Sequence, residues 1–190
     1  MSLGDSNLAE LFGDTAHFAI EAAADPALTN ATSVWGQMRI WVNGTRLGRF
    51  EEKGCCLYGA QARLEELAAG LDSLWDARLD GLDDADAWFF LWRAIYGDDD
   101  RTWEEVDRDA LAFCGFVFLT YWGESFDGWN GFAIRPPGEK LRLIARDKES
   151  RLISGAVEPA VFVEAVRDFS KWALRETQNR PTIGWSGRDG

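Results

Sequence analysis

The chain has 190 residues, of which 46% are hydrophobic and 13% aromatic, so it is long and apolar enough for one domain with a large core. Its net charge of −12 argues against nucleic-acid binding, because phosphate contacts need a basic surface. Three cysteines, two of them adjacent, do not make a disulfide framework, and a single histidine disfavours a zinc site, so no cofactor is expected.

The first third of the chain is predicted to form strands. His17 to Ala23 alternates between apolar and small or polar residues, which is typical of a strand with one buried face. Val34 to Val42 alternates in the same way and runs directly into Asn43-Gly44, a pair that tolerates the positive φ angles of a type I′ turn. We therefore predict a hairpin in which Thr45 to Phe50 returns antiparallel.

The middle of the chain changes to helical spacing. Apolar residues recur every three or four positions from Gly59 to Trp75, and a second helix is predicted from Asp84 to Tyr96, ended by Gly97. Thr102 to Val106 is expected to form a further helical turn. The continuous apolar run from Leu111 to Trp122 predicts a central strand that is buried on both faces.

The last third is predicted to contain strands followed by one helix. Phe132 to Arg135 and Leu141 to Ala145 form two strands, and Arg151 to Ser154 adds a short edge. Pro159 opens the final helix, because proline is favoured at the first helical position. Strands at both ends with helices between them predict an α+β fold, a mostly antiparallel β-sheet covered by helices in a single domain.

The predicted domain spans residues 12–181. We expect residues 1–11 to form a flexible arm, whose first three residues match a cloning remnant, and residues 182–190 to form a flexible tail. No export signal precedes the domain, and no apolar run approaches the roughly 18 residues of a membrane span. The sequence therefore predicts a soluble, cytoplasmic protein that does not associate with membranes.

Most of the negative charge lies in one segment. Between Asp72 and Asp109 there are 13 acidic residues and 4 arginines, a balance of −9 out of −12. The same segment carries Trp88, Trp92 and Trp103, and tryptophans are frequent interface anchors. An electronegative field of this kind attracts a cation-rich partner. The alternative interpretation is a solvated acidic face that only keeps the protein soluble.

Catalytic motifs are weak in this sequence. His17 starts a predicted strand and is interpreted as structural. Gly123 to Gly128 superficially resembles the nucleophile elbow of hydrolases, but Asp127 replaces the second glycine of that motif. Glu124 and Asp127 remain as the acidic pair of a carboxylate-based hydrolase, which is one alternative function.

Several short stretches carry a family resemblance: Phe12-Gly13-Asp14, Phe18-Ala19-Ile20, Val42 to Gly48, Ser125 to Trp129, and Leu141 to Ile144. Together, across residues 12–175, they resemble the immunity protein 42 family of bacterial polymorphic-toxin systems. The resemblance implies a small cytoplasmic protein that binds a cognate toxin domain and blocks it, with no catalytic residues and no cofactor.

The preferred hypothesis is therefore a toxin inhibitor and not an enzyme, with a basic toxin domain as its protein partner. Alternatives are the carboxylate-based hydrolase and an adaptor domain without inhibitory function. The acidic segment is the first candidate surface, and the loop from Glu124 to Trp129 is the second. The predicted partner-binding residues are Asp83, Asp84, Asp86, Asp98, Asp99, Asp100, Trp103, Glu104, Glu105, Glu124, Asp127 and Trp129.

Overall fold

The first of two sheets is built near the N-terminus of the chain. The computed structural model describes residues 8–97, 99–120 and 122–178, so much of the predicted arm and tail lies outside the described residues. The strands of this sheet are β1 (Glu10–Asp14), β2 (Phe18–Ala24), β3 (Trp35–Val42), β4 (Thr45–Leu47) and β5 (Cys55–Cys56). All of them pair antiparallel, in the order β1-β2-β3-β4, and β5 pairs with β3.

The predicted hairpin between β3 and β4 is confirmed. Asn43 and Gly44 have φ angles of 47° and 76°, as a type I′ turn requires. The returning strand is shorter than predicted and ends at Leu47. Gly48 follows with φ of 88°, a left-handed conformation that favours glycine and ends the strand. A Cβ atom at this position would also lie 2.7 Å from the Phe126 ring, so no larger residue fits there.

The second sheet comes from the C-terminal half of the chain, and its strands are also antiparallel. They are β6 (Val117–Leu119), β7 (Asn130–Ile134), β8 (Leu141–Arg146) and β9 (Leu152–Val157), in that spatial order. The prediction of one long strand from Leu111 to Trp122 is wrong. The first part of that run ends a helix, and of its described residues only Val117–Leu119 form a strand.

Four helices cover the sheets in the described part of the chain. They are α1 (Leu57–Ala69), α2 (Asp84–Tyr96), α3 (Trp103–Phe113) and α4 (Pro159–Gln178). Helices α1 and α4 pack together on the first sheet, α2 packs on β7 and β8, and α3 packs on α2. The buried residues form one continuous core. The predicted α+β class is confirmed. Among the described helices, none combines the length and the apolar character of a membrane span.

Candidate partner-binding surface

Helix α2 forms where the sequence predicts it, and its ends are defined by local contacts. The Asp83 carboxylate accepts hydrogen bonds from the backbone N–H groups of Ala85 and Asp86, each at 2.9 Å. This N-cap satisfies donors that have no partner within the helix, and its negative charge faces the positive end of the helix dipole. Gly97 closes the other end through its N–H bond to the Arg93 carbonyl.

One side of α2 is anchored to the second sheet. Ala87, Trp88, Leu91 and Ala94 are buried, and the Trp88 indole N–H donates to the Asn130 carbonyl of β7 at 3.1 Å. Trp88 therefore serves the core and is not free to bind a partner.

The opposite side of α2 carries exposed aromatic rings. Phe89 and Tyr96 are 54% and 44% exposed. The Phe89 ring stacks on Trp92 with centroids 6.5 Å apart, and Trp92 stacks in turn on the buried Trp88 at 6.0 Å. The sequence does not single out this aromatic side, because a stretch that is apolar all round does not show which side faces outward.

Helix α3 begins with a capping box and buries very little of its own surface. The Thr102 hydroxyl accepts from the Glu105 N–H, and the Glu105 carboxylate accepts from the Thr102 N–H. Only Phe113 is fully buried in this helix, where its ring meets the edge of Phe90 at 5.2 Å and lies under the Arg78 guanidinium at 4.4 Å.

The outer side of α3 presents two large apolar side chains to solvent. Trp103 is 80% exposed and Leu111 is 79% exposed. Positions 103, 107 and 111 are one helical turn apart, so Asp107 lies between the two apolar residues and Glu104 lies beside them. Trp103, Glu104, Asp107 and Leu111 are named here the α3 outer face. The sequence does not reveal Leu111 as a surface residue, because the apolar run that follows it predicts a buried strand.

Several of the acidic residues are engaged inside the protein. Asp99 accepts from Arg93 and from Arg101, each at 2.7 Å, and these hydrogen bonds hold the pKa of its carboxyl well below the ordinary value. Asp109 accepts from Arg101 at 3.0 Å. Arg78 binds Asp76 and lowers the pKa of that carboxyl to about 2. Asp99 and Asp109 thus connect the end of α2 to α3 through Arg101, whereas Asp76 binds an arginine two residues away; all three carboxylates are already engaged within the protein.

Two further carboxylates are bound by arginines from the C-terminal third of the chain. Arg135 pairs with Asp72, and Arg142 pairs with Asp84, whose other oxygen accepts from the Ser154 hydroxyl. Asp84 is thus tied to β8 and β9. The sequence suggests neither contact, because the partners are 63 and 58 residues apart.

A further group of acidic residues in the segment is exposed to solvent. Within the described ranges, the exposed side chains of Asp86, Asp100, Glu104 and Asp107 form no ion pair or hydrogen bond. Asp98 lies outside the described residues. Of the predicted site residues in this segment, Asp100, Trp103 and Glu104 therefore lie exposed on or next to α3, and Asp86 lies exposed on α2. Asp83 and Glu105 serve as caps, and Asp84 and Asp99 serve as internal anchors.

The second predicted surface, the loop from Glu124 to Trp129, is largely part of the core. Ser125 and Phe126 are buried, and Phe126 meets the edge of the Trp122 ring at 5.3 Å. Trp129 is only 9% exposed. Glu124 and Asp127 are exposed. A cleft beside the loop is lined by Asp127 and not by Glu124.

The single histidine and the three cysteines are the other residues that could carry chemistry in this chain. His17 is exposed in a turn, with its Nδ1 atom 3.2 Å from the Asp14 carboxylate. The three cysteines are free thiols. Across residues 8–97, 99–120 and 122–178, no three histidine, cysteine or carboxylate side chains are grouped so that they could hold a metal ion.

Comparison with known proteins identifies one family and one similar fold. A sequence model of immunity protein 42 matches residues 10–172. The crystal structure of CdiI from Burkholderia dolosa AUO158 superposes with a TM-score of 0.59 at 18% identity, covering 84% of this chain and 97% of that one. No curated protein sequence matches the chain.

Proposed function

The chain belongs to the immunity protein 42 family, and we propose that it neutralises a cognate toxin domain by docking the α3 outer face against a basic surface of that toxin. The single observation that carries the proposal is the exposure of Trp103 and Leu111, at 80% and 79%, on a helix that the core holds in place. Folding leaves these two side chains in water, whereas binding would bury them.

The apolar part of this face is suited to anchor a partner. Tryptophan is among the residues that contribute most at protein interfaces, and such anchors lie within a rim that excludes water. Trp103 and Leu111 stand on either side of Asp107, so an apolar contact and a carboxylate would enter the interface together. Their burial would slow dissociation of the complex.

The charged part of the face would act mainly on association. Asp100, Glu104 and Asp107 are exposed and unpaired within the described ranges, in a segment with a balance of −9. Complementary charge raises association rates from about 10⁵–10⁶ towards 10⁸ M⁻¹s⁻¹ at low salt. A toxin that binds an anionic substrate in a basic cleft would be attracted by these carboxylates, which then compete with the substrate.

Helix α3 is also preorganised for binding. The capping box fixes its first turn, and Phe113 fixes its last turn against Phe90. Arg101, in the connection between the two helices, donates hydrogen bonds to Asp109 of α3 and to the Arg93 carbonyl of α2. A surface that is already ordered loses less conformational entropy on binding, which favours affinity.

The apolar anchor is tested with alanine variants and the purified toxin domain, identified by pull-down from the source organism. We expect Trp103→Ala to weaken binding by about 2 kcal/mol or more, a loss of roughly 30-fold, through faster dissociation. Leu111→Ala has a matched control in Leu174→Ala, which removes an exposed leucine from α4. Surface plasmon resonance gives both rate constants. Equal kinetics for Trp103→Ala, Leu111→Ala and the wild type would remove this face from the interface.

The electrostatic contribution is tested by charge reversal. Replacing Asp100, Glu104 and Asp107 by lysine should slow association and reduce its dependence on salt. The control replaces Glu65, Glu139 and Glu149, exposed acids outside the segment, and changes the net charge equally. If both triple variants slow association by the same factor, net charge alone is responsible and the location of the face is wrong.

A further inference from the structure

A cleft beside the β3–β4 hairpin is lined by arginines, although the protein is acidic overall. The cleft has a volume of about 420 Å³, and Arg39, Arg46, Arg49 and Arg151 all contribute to its walls. A neighbouring cleft of about 250 Å³ shares three of these arginines and adds Lys148. We name the two together the arginine cleft. It belongs to the hairpin ends of the two sheets and is separate from the α3 outer face.

Three of the four guanidinium groups that line the arginine cleft lie over aromatic rings. Arg39 lies over Trp41 at 5.1 Å and over Phe50 at 5.0 Å, while Arg46 lies over the same Trp41 ring at 5.7 Å. Arg151 lies over Trp129 at 5.9 Å. Cation–π contacts of this kind fix the side chains while their N–H edges remain able to donate.

Each of these arginines keeps donors that are not used within the protein. Arg39 gives two N–H groups to Glu21, at 2.6 and 2.8 Å, and Arg151 gives its Nε–H to Asp147 at 3.1 Å. Arg49 donates one N–H to the Glu124 carbonyl at 3.3 Å, and its Nη1 atom lies 4.0 Å from the Glu52 carboxylate. Within the described ranges, Arg46 forms no ion pair and no hydrogen bond through its side chain. Fixed donors without acceptors are suited to bind carboxylates in a bidentate manner.

The carboxylates on the cleft walls restrict what can bind there. Glu51, Asp127, Asp147 and Glu149 line the cleft together with the arginines. A nucleic-acid backbone carries a negative charge at every phosphate, so these acids would repel it wherever it passes them. A peptide can place single carboxylates at the arginines and leave other positions uncharged, so the mixed lining favours a protein segment over nucleic acid.

We propose that the arginine cleft binds an acidic peptide segment of a protein partner, with the peptide carboxylates bound by Arg46, Arg49 and Arg151. This site is distinct from the proposed toxin-binding face and does not depend on it. It would give the protein a second interaction surface, in which arginines and not carboxylates contact the partner.

The test uses the full chain and an acetylated, amidated peptide of alternating glutamate and serine, followed by NMR. We expect saturable shifts of the Trp41 indole N–H and the Arg49 Nε–H signals. Replacing Arg46 and Arg151 by glutamine should weaken binding by about tenfold or more, because charge-assisted hydrogen bonds are lost. Both residues are exposed, so we expect this variant to fold. Arg46→Lys keeps the charge but loses the planar guanidinium group. Its affinity for the peptide should lie between that of the wild type and that of the double glutamine variant.

The controls test whether the peptide binds at the arginine cleft through its carboxylates. Arg108→Gln removes an exposed arginine from α3 and should leave peptide binding unchanged. The same peptide with glutamine in place of glutamate should not bind. Absence of saturable shifts, equal binding of the glutamine peptide, or tighter binding of inorganic phosphate or single-stranded RNA would each overturn the proposal. Self-association of the wild type that is lost in Arg46→Gln would also overturn it, because the occupant would then be a second copy of this chain.

Discussion

Helices α3 and α4 use their apolar residues in opposite ways. In α4, Phe162, Phe169 and Trp172 are buried, and the Phe169 and Trp172 rings pack on Phe12 of β1. In α3, Trp103 and Leu111 face the solvent, and Phe113 alone is fully buried. The role of a tryptophan in an amphipathic helix therefore depends on whether its side chain points to the core or to the solvent.

The largest expected effect is a difference in stability between alanine variants of Trp172 and Trp103. Trp172→Ala leaves a cavity in the core and should lower the free energy of unfolding by about 3–5 kcal/mol. Trp103→Ala removes an exposed side chain and should change it by less than about 0.5 kcal/mol. Urea denaturation measures both. A large destabilisation by Trp103→Ala would mean that this residue serves the fold, and the contrast between the helices would disappear.

A smaller effect is expected where α3 is held against α2. Arg101 donates to Asp99 and Asp109 and to the Arg93 carbonyl, so Arg101→Gln should loosen α3 without opening the core. We expect a fall in Tm smaller than that of Trp172→Ala, together with faster hydrogen exchange of the α3 amides. Arg108→Gln serves as the control, because its side chain is 70% exposed. Unchanged exchange in Arg101→Gln would show that Phe113 holds the helix alone.

The smallest effect should be a pH dependence confined to acid conditions. Hydrogen bonds from Arg78 lower the pKa of Asp76 from 3.8 to about 2, and Arg93 and Arg101 lower that of Asp99. A pKa that is lower in the folded state stabilises the fold above the ordinary pKa, and this stability is lost as the pH falls through the folded pKa. Asp76→Asn with Asp99→Asn should therefore flatten the loss of stability below about pH 4.

The expected control for that measurement is Asp100→Asn. This exposed side chain forms no ion pair within the described ranges. Its replacement should therefore leave the change of Tm with pH in the acid range, called here the acid slope, as it is in the wild type. Thermal unfolding in a series of acidic buffers gives the slope for each variant. A slope in the double variant equal to that of the wild type would show that the two ion-paired carboxylates do not account for acid sensitivity.

The sequence predicts well the elements whose signals are local. Helix α2 has the ends that the sequence predicts, because Asp83 caps it and Gly97 closes it. The end of helix α3 is predicted wrongly as a strand, since the apolar run from Leu111 to Trp122 crosses from a helix into a turn and then a strand. Short apolar runs do not distinguish these structures by periodicity.

The candidate surface is harder to predict than the fold. Charge and tryptophan content indicate the part of the chain that contains α3, but not which acids remain free. Whether Asp84 or Asp99 is available depends on Arg142 and Arg101, and the first of these contacts spans two distant parts of the sequence. The sequence does not predict the arginine cleft, because its arginines come from β3, β4, the segment after β4 and the turn before β9.

The three free thiols differ in their surroundings, and this has a practical consequence. Burial raises the pKa of Cys55 to about 12, and the Cys56 sulfur accepts the Gly59 N–H at the start of α1, whereas Cys114 is exposed just beyond Leu111. A maleimide dye should therefore attach selectively at Cys114. Fluorescence from that position would report arrival of a second molecule at α3 in real time, in the unmutated protein.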